Sequence, residues 1–166
     1  MMKALILALA LASAATGGAA QTAPALPPAA APSYGPPVSL EVAQDLIDRT
    51  MAHGAANGWR LAVAVVEPSG ALVAFGRMDD TQYGSIHVAQ RKAETSARYR
   101  LATAALEERV VAGRLVILAN EDTLPFPGGR PIVIDGRIVG AIGVSGATSA
   151  QDDEAALAAL ATLAGD

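Results

Sequence analysis

The sequence predicts a single three-layer α/β domain in which an antiparallel sheet carries helices on both faces. Three observations lead to it. Two pairs of apolar runs are each joined by turn chemistry, Glu67-Pro68-Ser69-Gly70 in the first and Asp135-Gly136 in the second, so each pair reads as a hairpin. Segments with apolar residues at helical spacing come before the first hairpin, between the two, and after the second. The strands of the first hairpin are apolar on both faces, which requires cover on both sides of the sheet.

The N-terminus stands apart from this domain. Met1-Met2-Lys3 and the uncharged stretch from Ala4 to Ala15 have the form of a signal peptide, too short to span a bilayer. Gly18 and Ala20 place cleavage after Ala20, so residues 1–20 are read as a leader and the mature protein as periplasmic or secreted. Residues 21–37 hold six prolines and no charge, and read as a Pro/Ala-rich spacer outside the fold. The domain is then residues 38–166, with no stable membrane insertion once the leader is gone.

Within the domain, Ser39 is placed to cap a first helix and Glu41 to suit its positive end. Leu40, Ala43, Leu46, Ile47, Thr50 and Met51 form the apolar stripe, with His53 at its border and Asn57-Gly58 as its stop. Residues 60–66 and 71–77 make the first hairpin. Residues 85–100 are helical, with Ile86, Ala89, Ala93 and Ala97 on one stripe and His87, Arg91, Glu94 and Arg98 on a polar one. A shorter helix starts at a Thr103 cap, runs to Val111 and stops near Gly113. Residues 115–120 suit strand or helix equally. After a Pro- and Gly-rich break come residues 131–134 and 137–144, the second hairpin, where Gly140, Gly143 and Gly146 leave room for a close approach. Ser149 caps a last helix, three acids suit its start, and Leu157, Leu160 and Leu163 supply its apolar side.

Composition removes several function classes. The formal net charge of −4 argues against a nucleic-acid or anionic-membrane partner. The absence of cysteine excludes disulfides, thiolate metal sites, thiol catalysis and covalent haem attachment through C-x-x-C-H. Gly143-Val144-Ser145-Gly146-Ala147 hints at a nucleophile elbow, but Ala147 stands where its last glycine belongs and no histidine follows Ser145. No Walker or G-x-G-x-x-G loop is present.

Arg77-Met78-Asp79 closes a strand, and S-I-H-V-A-Q-R-K-A-E-T-S-A follows at 85–97. With P-F-P-G-G-R-P-I-V-I-D-G at 125–136 and G-A-I-G-V-S-G-A-T-S-A-Q-D at 140–152, these blocks resemble the GlcG/HbpS-like haem-binding family in order and approximate spacing. The resemblance covers about residues 39–164. It implies a profilin-like fold, homo-oligomeric assembly, and non-covalent binding of haem or a related ligand. The family it points to is mixed in task, including exported haem-binding proteins tied to redox sensing and proteins encoded with glycolate metabolism.

Haem needs an axial ligand, an apolar slot, and cations or N–H donors for two propionates. His87 is the first candidate ligand, with Arg91 one turn later on the same helix face; the competing reading is a solvated polar stripe. His53 is the alternative, against a reading as helix-end decoration. Arg77 and Lys92 are further cations beside the resembling blocks, and Lys92, on an Ala- and Ser-rich face, is suited to anchor a carboxylate. Gly128, Gly129 and Arg130 form a candidate anion nest, unless those glycines serve backbone geometry alone. Three functions stay open: a haem-binding protein for carriage, buffering or sensing; an enzyme or accessory acting on a small carboxylate or on haem; and a ligand-free structural module. No residue is assigned a catalytic role.

Overall fold

The computed structural model describes residues 30–164, so the expected leader and the first part of the spacer lie outside the described residues. Helix α1 spans Leu40–Ala56, strands β1 and β2 span Ala62–Val66 and Leu72–Arg77, and helices α2 and α3 span Gly84–Tyr99 and Thr103–Val111. Strands β3 and β4, Gly129–Ile134 and Arg137–Ser145, precede helix α4, Ser149–Leu160. The ambiguous segment is a 3₁₀ turn, Leu115–Ala119. All strand pairs are antiparallel, in the order β2-β1-β4-β3. The two hairpins therefore join through their inner strands, β1 and β4.

Helices α1 and α4 cover one face of this sheet and α2 the other, giving the three layers the sequence predicts. The α1/α4 face is built from branched side chains, among them Leu46, Leu61, Val63, Val65, Ile132, Ile142 and Val144. The α2 face is lined by Ala62, Ala64, Ala89, Ala93, Ala97 and Ala141. Small residues there let the helix backbone lie close against the strands. Gly143 is the tightest point, because a Cβ would collide with the Ala89 carbonyl and the Ala93 amide. Gly143→Ala is expected to destabilise the fold by about 3 kcal/mol, read as a lower urea midpoint at unchanged slope.

Several local expectations meet the structure directly. Ser39 accepts a hydrogen bond from the Val42 amide at the start of α1. Asp135 and Gly136 have φ of 51° and 71°, the double positive-φ turn that suits a two-residue hairpin. Gly140 and Gly146 are approached by the Val66 and Arg60 carbonyls, so the protein's own backbone fills that room.

Other expectations need correction. Strand β2 is an edge strand and only half covered, whereas β1 is wholly buried. Residues 33–35 of the expected spacer join the fold: Ser33 and Gly35 exchange backbone hydrogen bonds with Ile138, and the Tyr34 hydroxyl donates to the Ala97 and Arg98 carbonyls. Tyr34 is the reason, since its aromatic ring reaches the end of α2 and lies under the Arg100 guanidinium. Thr103 is not a cap; its hydroxyl accepts from the Gly129 amide at 2.9 Å and ties α3 to β3. The cap of α4 is Thr148 rather than Ser149, in a reciprocal capping box with Gln151. Thr148→Ala is expected to lower stability by about 1 kcal/mol, measurable by urea denaturation. Leu157 is exposed, and Ala155, Ala156 and Ala159 are the apolar residues α4 buries.

Candidate functional site

Two clusters of the expected site residues separate in the structure, one inside the fold and one on its surface. Lys92 points from α2 through the sheet end and is 1% exposed. Its ammonium donates to the Val144 carbonyl and to Asp152 Oδ2, both at 2.8 Å, and Asp152 Oδ1 accepts from the Ala147 amide at 3.0 Å. Burial pushes the Lys92 ammonium below the ordinary lysine value and the Asp152 carboxyl above the ordinary aspartate value, while each ion opposes the other's shift. Lys92 does anchor a carboxylate, and that carboxylate belongs to the first turn of α4.

The expected anion nest is filled in the same way. The Gly128 amide donates to Asp153 Oδ1, and Arg130 Nε donates to the same oxygen at 2.8 Å while its Nη2 meets Oδ2. The hydrogen bond to Asp153 raises the Arg130 guanidinium further above its already high value. Gly128 has φ of 117°, and a Cβ there would lie 2.8 Å from the Val144 carbonyl oxygen and 3.0 Å from Lys92 Nζ. A Cβ on Gly129 would strike the Lys92 carbonyl. Lys92, Gly128 and Arg130 thus knit α2, β3, β4 and α4 together through Asp152 and Asp153, while the Gly129 amide is taken by Thr103 of α3. Their polar groups face inward.

The second cluster lies on the outer face of α2. His87 is exposed there, one turn after Tyr83 and one turn before Arg91. Tyr83 is 82% exposed, and the Arg77 guanidinium at the end of β2 sits over its ring, 5.3 Å from the centroid. Arg91 is half-buried and donates to the Glu121 carbonyl. The segment around Glu121 is pinned beside α2 by Thr95, whose hydroxyl accepts from the Leu124 amide, and by Tyr99, which meets Asn120. Just before it, the 3₁₀ turn exposes Leu115, Val116 and Leu118. Arg77, Tyr83, His87 and Arg91 therefore form one ridge of aromatic, imidazole and guanidinium groups with apolar surface at one end.

His53 is on the other side of the sheet. Its ring lies between α1 and α4, 5.6 Å from the Trp59 ring, with Nε2 buried and 3.4 Å from Glu154 Oε1. Among the described residues no group of three or more His, Cys, Asp or Glu is arranged to hold a bare metal ion. An iron carried inside a macrocycle needs only one or two protein ligands, and an exposed imidazole is a suitable one. Sequence reasoning missed Asp152 and Asp153 as partners and Tyr83 as the seat of Arg77. The acids looked sufficient as helix-start residues, and the Tyr83 contact depends on a loop conformation that spacing does not encode. No described helix is long and apolar enough to cross a membrane.

Comparison with known proteins places this geometry in context. Residues 38–161 match the family described as haem degrading protein HbpS-like. The chain is similar to protein GlcG of Escherichia coli K12, with 39% identity over 108 residues that cover 65% of this chain and 81% of that protein. Among solved structures, a double mutant of Streptomyces reticuli HbpS superposes with a TM-score of 0.72 at 28% identity, covering 86% of this chain and 97% of the other. A structure described as a PduOC:heme complex aligns with a TM-score of 0.69 at 26% identity, over 75% of this chain and 94% of that one. The α/β architecture, the ordered sequence blocks and the matched span agree: the chain belongs to the HbpS-like family.

Proposed function

We propose that this protein binds haem or a closely related tetrapyrrole non-covalently on the outer face of α2, with His87 as axial ligand and the Arg77 guanidinium toward the propionates. The observation that supports this most is an exposed imidazole on α2, one turn from the pair formed by the Tyr83 ring and the Arg77 guanidinium of β2, in a family with a haem complex among its structural neighbours. The residues suit the group. A neutral imidazole is a common haem ligand, guanidinium groups pair with carboxylates, and Tyr83 with the exposed 3₁₀ turn supplies apolar surface. Bound haem supplies a redox-active iron, and the chain's part is to hold and orient it. With a leader at residues 1–20, the role is carriage, buffering or redox sensing of haem outside the cytoplasm. The exposed apolar residues Val111, Leu115, Val116 and Leu118 suit a second copy of the chain, in keeping with a homo-oligomer.

The test is a haemin titration of the purified protein followed by absorbance. A saturable, shifted Soret band at micromolar haemin is the expected result, and its absence contradicts the reading. The family description favours one second reading, degradation of the bound haem. Adding a reductant and dioxygen to the complex separates the two, since carriage predicts a stable Soret band and degradation its loss with release of iron. A small carboxylate as the natural ligand has less support, because Lys92, Gly128 and Arg130 already hold Asp152 and Asp153.

A further inference from the structure

We infer that Tyr83 is a positioning residue that holds Arg77 in readiness for the carboxylates of the ligand, so that the haem lies with its propionates toward the N-terminal end of α2. This inference rests on the haem reading above and adds an orientation to it. The two arginines of the ridge are not equivalent. Arg91 is half-buried and its guanidinium is already engaged by the Glu121 carbonyl. Arg77 is exposed and makes no ion pair among the described residues, and its contact is the face of the Tyr83 ring. A guanidinium over an aromatic face keeps its N–H edges outward, free to meet a carboxylate.

The contact with Tyr83 also settles a competition. Asp79 and Asp80 line the same cleft of about 730 Å³ as Arg77 and Tyr83. Both acids follow Arg77 within three residues and are near enough to compete for its guanidinium. The Tyr83 ring holds Arg77 away from them, at a place one helical turn, about 6 Å, from His87 along α2. An anion at that end also meets the positive end of the helix, whose first residue is Gly84 and which has no side-chain cap. The Arg91 end offers neither a free guanidinium nor a helix N-terminus.

The experiment compares haemin with its dimethyl ester, which keeps the macrocycle and iron but has no carboxylate. Affinities for both are measured for the unsubstituted protein and for Arg77→Gln, Tyr83→Leu, Tyr83→Phe and Arg91→Gln. The unsubstituted protein is expected to prefer haemin about three- to fivefold, the range of an exposed ion pair. Arg77→Gln and Tyr83→Leu are expected to abolish that preference, Tyr83→Phe to retain it, and Arg91→Gln to retain it. Affinity for the ester is expected to be the same in all five proteins, a result that a merely structural role for Tyr83 would not give. A preference that survives Tyr83→Leu, or that is lost in Arg91→Gln instead, overturns the inference while leaving haem binding intact. Failure of the unsubstituted protein to bind either compound overturns the haem reading and this orientation together.

Discussion

Lys92→Met is expected to destabilise the protein by about 3–5 kcal/mol, the range for breaking a buried ion pair from one side. The substitution leaves the Asp152 carboxylate, 3% exposed, with the Ala147 amide of the β4–α4 connection as a donor but no cation. The cost then comes mostly from the stranded charge, since methionine fills most of the lysine's volume. The double variant Lys92→Met with Asp152→Asn removes both charges and keeps an acceptor for the Ala147 amide. It is expected to recover most of the loss. Urea denaturation of the two variants checks this, and a double variant no more stable than the single one would show that packing rather than charge dominates.

His87→Ala is expected to weaken haemin binding by at least about tenfold, roughly 1.4 kcal/mol, and to move the Soret maximum. The side chain is exposed, so the same substitution should leave the urea midpoint almost unchanged. His53→Ala is the matched control. It removes a ring packed against Trp59 between α1 and α4, and should lower stability while leaving haemin affinity alone. The opposite pattern, with His53 controlling the Soret band, would move the ligand to the other side of the sheet.

Much of this fold was legible because its signals are local. Ser39 and the Glu67–Gly70 and Asp135-Gly136 turns are read from a few consecutive residues, and all three act as that chemistry dictates. The misreadings share one cause. Local sequence offers Lys92 as a candidate anchor for a ligand carboxylate and Gly128–Arg130 as a candidate anion nest, whereas in the fold their partners are the chain's own carboxylates. Spacing along the chain does not say that the anions are Asp152 and Asp153, 60 and 23 residues away from Lys92 and Arg130. Thr103 and Tyr34 follow the same pattern, since each makes a long-range contact where local rules offered a cap or a spacer. On the candidate site, the helical spacing of His87 and Arg91 survived intact because it depends only on α2. The seat of Arg77 on Tyr83 depends on the conformation of the loop between β2 and α2, which spacing does not encode.

Paramagnetic broadening locates haem on the outer face of α2 most directly. Ferric haemin is added to isotopically labelled protein, and backbone amide resonances are followed by NMR with diamagnetic zinc protoporphyrin as reference. Selective broadening is expected at Tyr83, His87 and Arg91, with the amides of α1 and α4 left sharp beyond the sheet. Broadening centred on His53 and Trp59, or on the α1–β2 groove lined by Ile47, Met51 and Val73, would contradict it.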